Sequence, residues 1–138
     1  MTPRLKAVCA LIRPCDLLAD VGCDHGYVAR YALENGVRSV IASDVAPGAL
    51  QKARVLLAPY GSRVTTVCAD GLDALAGQNP DCIVIAGMGG KNIIDILSGY
   101  TDDAALILGP QRDVPQVRQY LTEHGYKITF DSVVEDRR

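Results

Sequence analysis

The sequence predicts a doubly wound α/β fold with a mostly parallel sheet, and three observations support this class. Short apolar runs alternate with segments of helical periodicity along nearly the whole chain. Glycine or proline separates most of these segments. The 138 residues are 49% hydrophobic and 22% charged, which is enough apolar material for one packed core. Strands and helices that alternate in this way form a parallel sheet through right-handed crossovers.

The first half of the chain predicts three helices and three strands. Thr2 can cap the first helix, and Pro3 suits its first position because proline needs no N–H donor there. Gly36 has the place of a left-handed stop after the second helix. The predicted order is helix 3–12, strand 17–21, helix 27–35, strand 37–43, a helix from 47 to the Pro-Tyr-Gly stop at 59–61, and strand 63–68.

The second half contains the most apolar strand. Residues 82–86 are all apolar, so we expect this strand to be central and covered on both faces. Asp113 can cap the last helix, and the alternation over 126–134 predicts a final strand. The predicted order is a turn at 72–75, a loop at 77–80, strand 82–86, helix 91–97, strand 104–108, a helix from 113 to a stop at 125, and strand 126–134.

Composition excludes several classes of protein. A net charge of −2 argues against binding nucleic acid through bulk charge, although a local basic face would remain compatible with it. Five cysteines without a Cys-x-x-Cys pair, and only two histidines, do not predict a metal site. The apolar stretch at 7–12 is too short for a signal peptide or a membrane span. We expect one cytoplasmic domain with reduced thiols and no membrane partner.

The turn at 22–26, between the first strand and the second helix, is the first candidate ligand site. Gly22 and Gly26 lack a Cβ, so the backbone can turn sharply and approach a ligand closely. A dinucleotide fingerprint would place a glycine where Asp24 stands, and this carboxylate would repel a pyrophosphate. Asp20 and Asp24 suit a cationic ligand instead. The alternative is a glycine turn that binds nothing.

Acidic residues end the next two strands. Asp44 lies 22 residues after Gly22, where an acid can bind both hydroxyls of a ribose. The alternative role for Asp44 is to cap the helix that starts at Pro47. Asp70 could bind an adenine amino group while Gly71 lets the ring approach.

A second glycine-rich loop, Gly-Met-Gly-Gly at 87–90, follows the most apolar strand. Three glycines in four residues indicate a surface that a ligand approaches closely, or else a flexible turn. Gln111 ends the next strand on the same rim and could read a base edge. Met88 and Tyr27 could stack on a ring or simply pack, and His25 is either a general base or a structural residue of its turn.

Three segments, 20–27, 85–90 and 106–111, together resemble the bacterial tRNA (adenine(22)-N(1))-methyltransferase family. The Ala-Gly-Met-Gly-Gly loop at 86–90 is the most specific of them, and the resemblance covers nearly the whole chain. The resemblance implies a Rossmann-like class I fold, S-adenosylmethionine (SAM) as cofactor, and tRNA as partner and substrate. It also implies N1 of the adenine at position 22 as the methyl acceptor.

Site residues follow from the motifs and this resemblance together. The expected catalytic residues, around the target base, are Asp24, His25, Met88 and Gln111. The expected cofactor-binding residues are Asp20, Gly22, Asp24, Gly26, Tyr27, Asp44, Val45, Asp70, Gly71, Ala86, Gly87 and Met88.

Two departures from the family pattern matter. Cys23 stands where the family often has serine or glycine, which is a mild change. Family members also continue with a further strand and a helical domain that helps to hold tRNA. We therefore expect residues 1–138 to form a SAM-binding domain without the last antiparallel strand, and its open sheet edge could form a dimer. The alternative functions are an NAD-dependent oxidoreductase on a similar fold and a non-catalytic SAM-binding module.

Overall fold

Five parallel strands form the sheet of this computed structural model, which describes residues 1–134. The strands are β1 (Cys15–Val21), β2 (Val37–Asp44), β3 (Val64–Cys68), β4 (Cys82–Met88) and β5 (Ala105–Pro110). The α-helices are α1 (Pro3–Ala10), α2 (Tyr27–Glu34), α3 (Pro47–Leu57), α4 (Gly90–Leu97) and α5 (Val114–Glu123). Short 3₁₀ helices at Ala58–Arg63 and Gly71–Leu75 precede and follow β3.

The order of the strands across the sheet is β3-β2-β1-β4-β5. The chain therefore adds β2 and β3 on one side of β1, and then adds β4 and β5 on the other side. Val21 at the end of β1 is in register with Ser43 of β2 and Ile85 of β4. All five carboxyl ends lie at one edge of the sheet, and ligands in such folds bind where the order reverses. Here that place is between β1 and β4.

Alternation along the strands divides the core into two layers. Leu18, Val40 and Val84 face the layer formed by α1, α2 and α3. Their neighbours Ala19 and Ile83 face the opposite layer, to which α4 contributes its apolar side. The doubly wound class is thus confirmed, with helices on both faces of a parallel sheet.

The expectation that the strand at 82–86 is central needs one correction. Ile83, Val84 and Ile85 are fully buried, and β4 is covered on both faces as predicted. The middle strand of the five is β1, however, and β4 lies next to it. Apolar content follows from burial on both faces, which any interior strand shares, so composition could not separate the two positions.

The final strand predicted at 126–134 is wrong. These residues belong to no strand of the structure, and Ile128 and Phe130 are 39% and 62% exposed. Asp131 accepts a hydrogen bond from Arg118 Nε of α5 at 2.6 Å, which ties the segment to that helix. Alternation describes a strand only when a neighbouring strand takes up its backbone groups, and no described strand does so here.

The helix ends follow the sequence signals closely, with one exception. Gly36, Gly99 and Gly125 have φ values of +97°, +84° and +82°, the left-handed conformation expected after a helix. Asp113 precedes α5, but its φ is +59° and its side chain makes no capping hydrogen bond. The backbone of this turn is set by Arg112, whose carbonyl accepts a hydrogen bond from Gly90 N at 2.8 Å. No helix within residues 1–134 is long and apolar enough to cross a membrane.

Candidate functional site

A cavity of about 780 Å³ opens at the carboxyl edge of the sheet, over the reversal point between β1 and β4. Its walls come from the ends of β1, β2 and β4, from the segment after β3, from the start of α1 and from α4. This volume lies in the usual range of pockets for small ligands and cofactors.

The turn after β1 is held in place by the neighbouring strand. Gly22 N and Cys23 N both donate to the carbonyl of Ser43, at 2.9 and 2.8 Å. Gly22 has a φ of +75°, and a Cβ there would lie 2.9 Å from the terminal methyl of Met88. Glycine at this position is therefore required by both the backbone conformation and the close contact with Met88.

Gly26, an expected cofactor-binding residue, lies where α2 and α3 approach each other. Its φ is +91°, and a Cβ there would lie 3.2 Å from Cβ of Ala53 in α3. Gly26 does not line the cavity. It allows α2 and α3 to approach each other and so shapes the site through helix packing, while contact of Gly26 with the cofactor stays a prediction.

Asp20 is the most unusual residue of the site. It is only 3% exposed, and its Oδ2 has no hydrogen-bond partner among the described residues. Burial, and to a smaller extent the negative charge of Asp44, raise the pKa of Asp20 to about 7. A hydrogen bond from the backbone of Ala29 lowers this pKa, and the charge of Asp24 raises it slightly. A buried carboxyl group in a cavity wall, with one oxygen left without a hydrogen bond, is suited to a cationic ligand group.

Asp44 links the two turns at the ends of β1 and β2. Its Oδ2 accepts a hydrogen bond from Asp24 N at 2.9 Å, and its Oδ1 accepts one from Ala46 N at 2.9 Å. The alternative role near the start of α3 is therefore part of the structure, although Asp44 also lines the cavity. An ionised carboxylate has about four acceptor positions, so two bonds leave capacity for the hydroxyls of a ligand.

Asp24 and His25 lie next to each other at the mouth of the cavity. Asp24 has a left-handed φ of +49°, and its side chain is 74% exposed. His25 Nε2 lies 3.6 Å from Asp24 Oδ1. The ring of His25 meets that of Tyr27 edge-on, with 6.2 Å between centroids. Arg30 Cζ lies 5.6 Å from the centroid of the Tyr27 ring.

The glycine-rich loop after β4 forms the opposite wall, and only part of it faces the cavity. Gly87 has a φ of +80° and open space where a Cβ would lie. A Cβ at Gly89 would lie 3.0 Å from Arg112 Nε, and one at Gly90 would lie 2.7 Å from the carbonyl oxygen of Asp113. The close approach predicted for this loop is real, but at 89 and 90 the partner is the loop after β5 and not a ligand.

Two backbone hydrogen bonds join these loops. Gln111 N donates to Met88 O at 2.9 Å, and Gly90 N donates to Arg112 O at 2.8 Å. Met88 and Gln111 both line the cavity, together with Ala86 and Gly87. The pairing fixes the position of Met88, whose methyl group lies against Gly22. This wall is therefore braced before any ligand binds.

The structure brings nearly all of the predicted site residues to one place. The four expected catalytic residues and every expected cofactor-binding residue except Gly26 line the cavity. Among the lining residues that sequence reasoning missed are Val21, Cys23, Val28 and Ala69, which adjoin expected site residues, and two groups from helices that were not expected at the site. The α1 group comprises Thr2, Arg4 and Leu5, and the α4 group comprises Asn92, Asp95 and Ile96.

A local signal existed for only one of these groups. Asn92 and Asp95 are polar, three positions apart, in a helix whose buried face is Ile93 and Leu97. Residues three apart share a helix face, so their position just after the glycine loop could have indicated a second polar wall. The α1 group has no such signal, because the packing of α1 against α2 and β5 brings it here.

The cavity is strongly acidic. The carboxylates in its lining are those of Asp20, Asp24, Asp44, Asp70 and Asp95. Arg4 and His25 are the basic side chains in the same lining. The field of these carboxylates attracts cations and repels phosphates. Within residues 1–134 no group of histidine, cysteine, aspartate or glutamate side chains could hold a metal ion.

Comparisons with known proteins agree with this geometry. The family described as a methyltransferase domain matches residues 1–138. The tRNA (adenine(22)-N(1))-methyltransferase of Bacillus subtilis is 30% identical over 143 residues, which cover 99% of this chain and 60% of that protein. A Mycoplasma pneumoniae protein, provisionally named a tRNA methyltransferase, is 34% identical over 122 residues, covering 86% of this chain and 57% of that protein.

A solved structure gives the same result in three dimensions. The structure of Mycoplasma capricolum TrmK in complex with the cofactor product S-adenosyl-homocysteine (SAH) is similar with a TM-score of 0.89 and 26% identity. The match covers 99% of this chain and 64% of that one. The chain thus spans less than two thirds of the length of each of these relatives.

Proposed function

The chain belongs to the methyltransferase domain family, and from this premise we propose that residues 1–138 form a SAM-binding domain that methylates N1 of adenine 22 in tRNA. The observation that carries the proposal is Asp20, a buried carboxyl group that lies in the wall of an acidic cavity and whose Oδ2 has no hydrogen-bond partner among the described residues. SAM has a sulfonium and an α-ammonium group, so this lining suits it better than it suits a pyrophosphate. The names of the relatives support tRNA as the substrate.

The residues present fit SAM along the length of the cavity. Asp20 and Asp24 would face its cationic groups, and Asp44 would accept hydrogen bonds from the ribose hydroxyls. The adenine would lie near Gly71 and Ile96, where a Cβ on Gly71 would contact the Ile96 side chain at 3.6 Å. Asp70 would accept a hydrogen bond from the adenine amino group. When bound, SAM supplies a methyl group on a positively charged sulfur.

The remaining work for the protein is to orient the target base and exclude water. N1 of adenine has an in-plane lone pair at neutral pH, so no residue needs to remove a proton before attack. Holding two reactants in line can lower a barrier by about 7–11 kcal/mol. Met88 is suited to this task because Gly22 and Gln111 fix it from two sides. Asp24 would stabilise the positive charge that develops on the ring.

The reaction itself is the direct test. The protein is incubated with labelled SAM and unmodified tRNA, and the modified nucleoside is identified and mapped. We expect 1-methyladenosine at position 22. A label on another base, or no label when SAH binds to the protein, would contradict the substrate. Titration with NADH separates the oxidoreductase alternative, which requires tight NADH binding without SAH binding.

Asp44→Ala should weaken SAH binding by about tenfold or more, which corresponds to at least about 1.4 kcal/mol. The substitution removes the acceptor for the ribose and also the bonds to Asp24 N and Ala46 N. Isothermal titration calorimetry with SAH measures the change. Asp73→Ala is the matched control, because Asp73 is an exposed acid that does not line the cavity. Equal affinities in the two variants would remove Asp44 from the site.

A further inference from the structure

The acidic cavity creates a problem for an RNA substrate. Five carboxylates line the cavity, and the whole chain has a net charge of −2. RNA phosphates are repelled by such a field, whereas the base that must enter is neutral. A nucleotide can therefore reach the cavity only if a cation at its mouth holds the adjoining phosphate outside.

Tyr27 lines the cavity, and Arg30 lies beside the Tyr27 ring just outside this lining; we call these two residues the mouth pair. Tyr27 lines the cavity and is 40% exposed, so its ring is accessible at the rim. Arg30 follows three positions later in α2, on the same helix face, with Cζ 5.6 Å from the ring centroid. His25 lies edge-on to the same ring.

Arg30 is also available for an external anion. No ion pair between described residues involves it, since those pairs join His25 to Asp24, Arg38 to Asp16, and Arg118 to Asp131. Glu34, four positions after Arg30, accepts a hydrogen bond from the Tyr60 hydroxyl at 2.8 Å. A guanidinium that stacks on a ring through its face keeps its N–H groups in plane for a phosphate.

We propose that the mouth pair binds the target nucleotide of the RNA substrate, with Tyr27 against the unpaired base and Arg30 on a flanking phosphate. This inference rests on the proposed function and adds the residues that recognise the substrate. Proteins bind unpaired bases by stacking them on aromatic rings and guanidinium planes. Such contacts offset the free energy needed to unstack the base.

The test measures tRNA binding separately from cofactor binding. Fluorescence anisotropy gives the Kd of a labelled, unmodified tRNA transcript over a series of KCl concentrations, and calorimetry gives the Kd of SAH. Arg30→Ala should raise the tRNA Kd about 3- to 10-fold and reduce the slope of log Kd against log salt by about 0.7–0.9, the effect of one phosphate contact. The SAH Kd should change less than about twofold.

Four further variants make the result specific. Arg30→Lys should keep the salt slope, because the charge remains, while binding weakens through loss of the planar contact. Tyr27→Phe should bind tRNA like the parent, whereas Tyr27→Ala should bind at least about 5-fold more weakly. Arg38→Ala is the matched control. Arg38 lies at the start of β2, at the opposite edge of the sheet, with its side chain 81% exposed, and its removal should leave both affinities unchanged.

The outcomes separate this inference from the proposed function. If the parent protein does not bind SAH, the proposed function fails and the inference with it. If SAH binds but the parent binds no tRNA, the proposed substrate fails together with the inference. If the parent binds both SAH and tRNA, and Arg30→Ala keeps the parental Kd and salt slope, only the inference is overturned. A purely structural role for the mouth pair would lower thermal stability or SAH affinity in Arg30→Ala, and that result would also overturn it.

Discussion

Asp16 and Asp20 lie four positions apart in β1, yet they have opposite environments. The Asp16 side chain is 81% exposed and faces Arg38, with 3.6 Å between Oδ1 and Nε. Asp20 is 3% exposed, and its Oδ2 has no partner among the described residues. The charge of Asp16 remains solvated at the amino edge of the sheet, whereas ionising Asp20 at the carboxyl edge costs free energy.

The pairing of the strands explains this difference. Asp20 is in register with Ala42 of β2 and Val84 of β4, so buried strands flank it on both sides. At the other edge Asp81 closes the end of the sheet, where its Oδ2 accepts hydrogen bonds from Asp16 N and Leu17 N at 3.2 and 3.0 Å. Asp81 at the amino edge thus stabilises the fold, while Asp20 is held in a costly state that a ligand can relieve.

Of the substitutions at these three acids, Asp20→Asn should change the free energy of unfolding most. The unfolded chain ionises this group near its ordinary pKa of 3.8, but the folded chain does so at about 7. Between these values the unfolded state binds fewer protons, so the contribution of Asp20 to stability falls as pH rises from about 4 to about 7. At about 1.4 kcal/mol per pKa unit, the cost above pH 7 is up to about 4 kcal/mol.

Asp20→Asn should therefore be more stable than the parent at about pH 8, and this gain should vanish towards pH 4. The same variant should bind SAH more weakly, because the anionic group is lost. Urea unfolding followed by far-UV circular dichroism suits this chain, which has no tryptophan. A variant that is less stable than the parent at about pH 8 would show that the buried carboxylate is stabilising. The contrast drawn here between a costly Asp20 and a solvated Asp16 would then be wrong.

Asp81→Ala should lower the free energy of unfolding, by less than Asp20→Asn raises it. It removes the acceptor of two backbone N–H groups at the start of β1, which should cost about 1–2 kcal/mol of stability. SAH affinity should not change, because Asp81 lies at the edge away from the cavity. Asp81→Asn keeps one side-chain carbonyl and should recover much of the loss. A change in SAH affinity would mean that the two edges are coupled.

Asp16→Asn should change the free energy of unfolding least. Exposed ion pairs contribute about 0–1 kcal/mol, and the 3.6 Å separation from Arg38 is long for a hydrogen bond. The midpoint of urea unfolding should stay within error of the parent, and raising the salt concentration should leave the two proteins equal. A loss as large as that of Asp81→Ala would contradict the view that this charge is merely solvated.

Much of the fold could be predicted because its signals are local. The strand-glycine-helix order around Gly22, the left-handed stop at Gly36 and the proline that starts α3 each depend on a few neighbouring residues. The clustering of the acids at the strand ends could also be predicted, since every strand of a parallel sheet ends at the same edge. These features place most of the site before any coordinate is known.

Other features depended on contacts between distant segments. Gly26 and Gly90 carry the same sequence signal as Gly87, yet helix and loop packing occupy the space beside the first two. Residues 126–134 alternate like a strand but have no neighbouring strand to pair with within the described chain. Arg4 reaches the cavity because α1 packs against α2 and β5.

The sequence by itself determined the order of the elements, the turns between them and the acidic edge, because backbone preference and periodicity act over a few residues. Only the tertiary structure decided which glycines face the cavity, which wall α1 and α4 provide, and how deeply Asp20 is buried. Burial and close contact are properties of segments that meet in space, and the spacing of residues along the chain does not encode them directly.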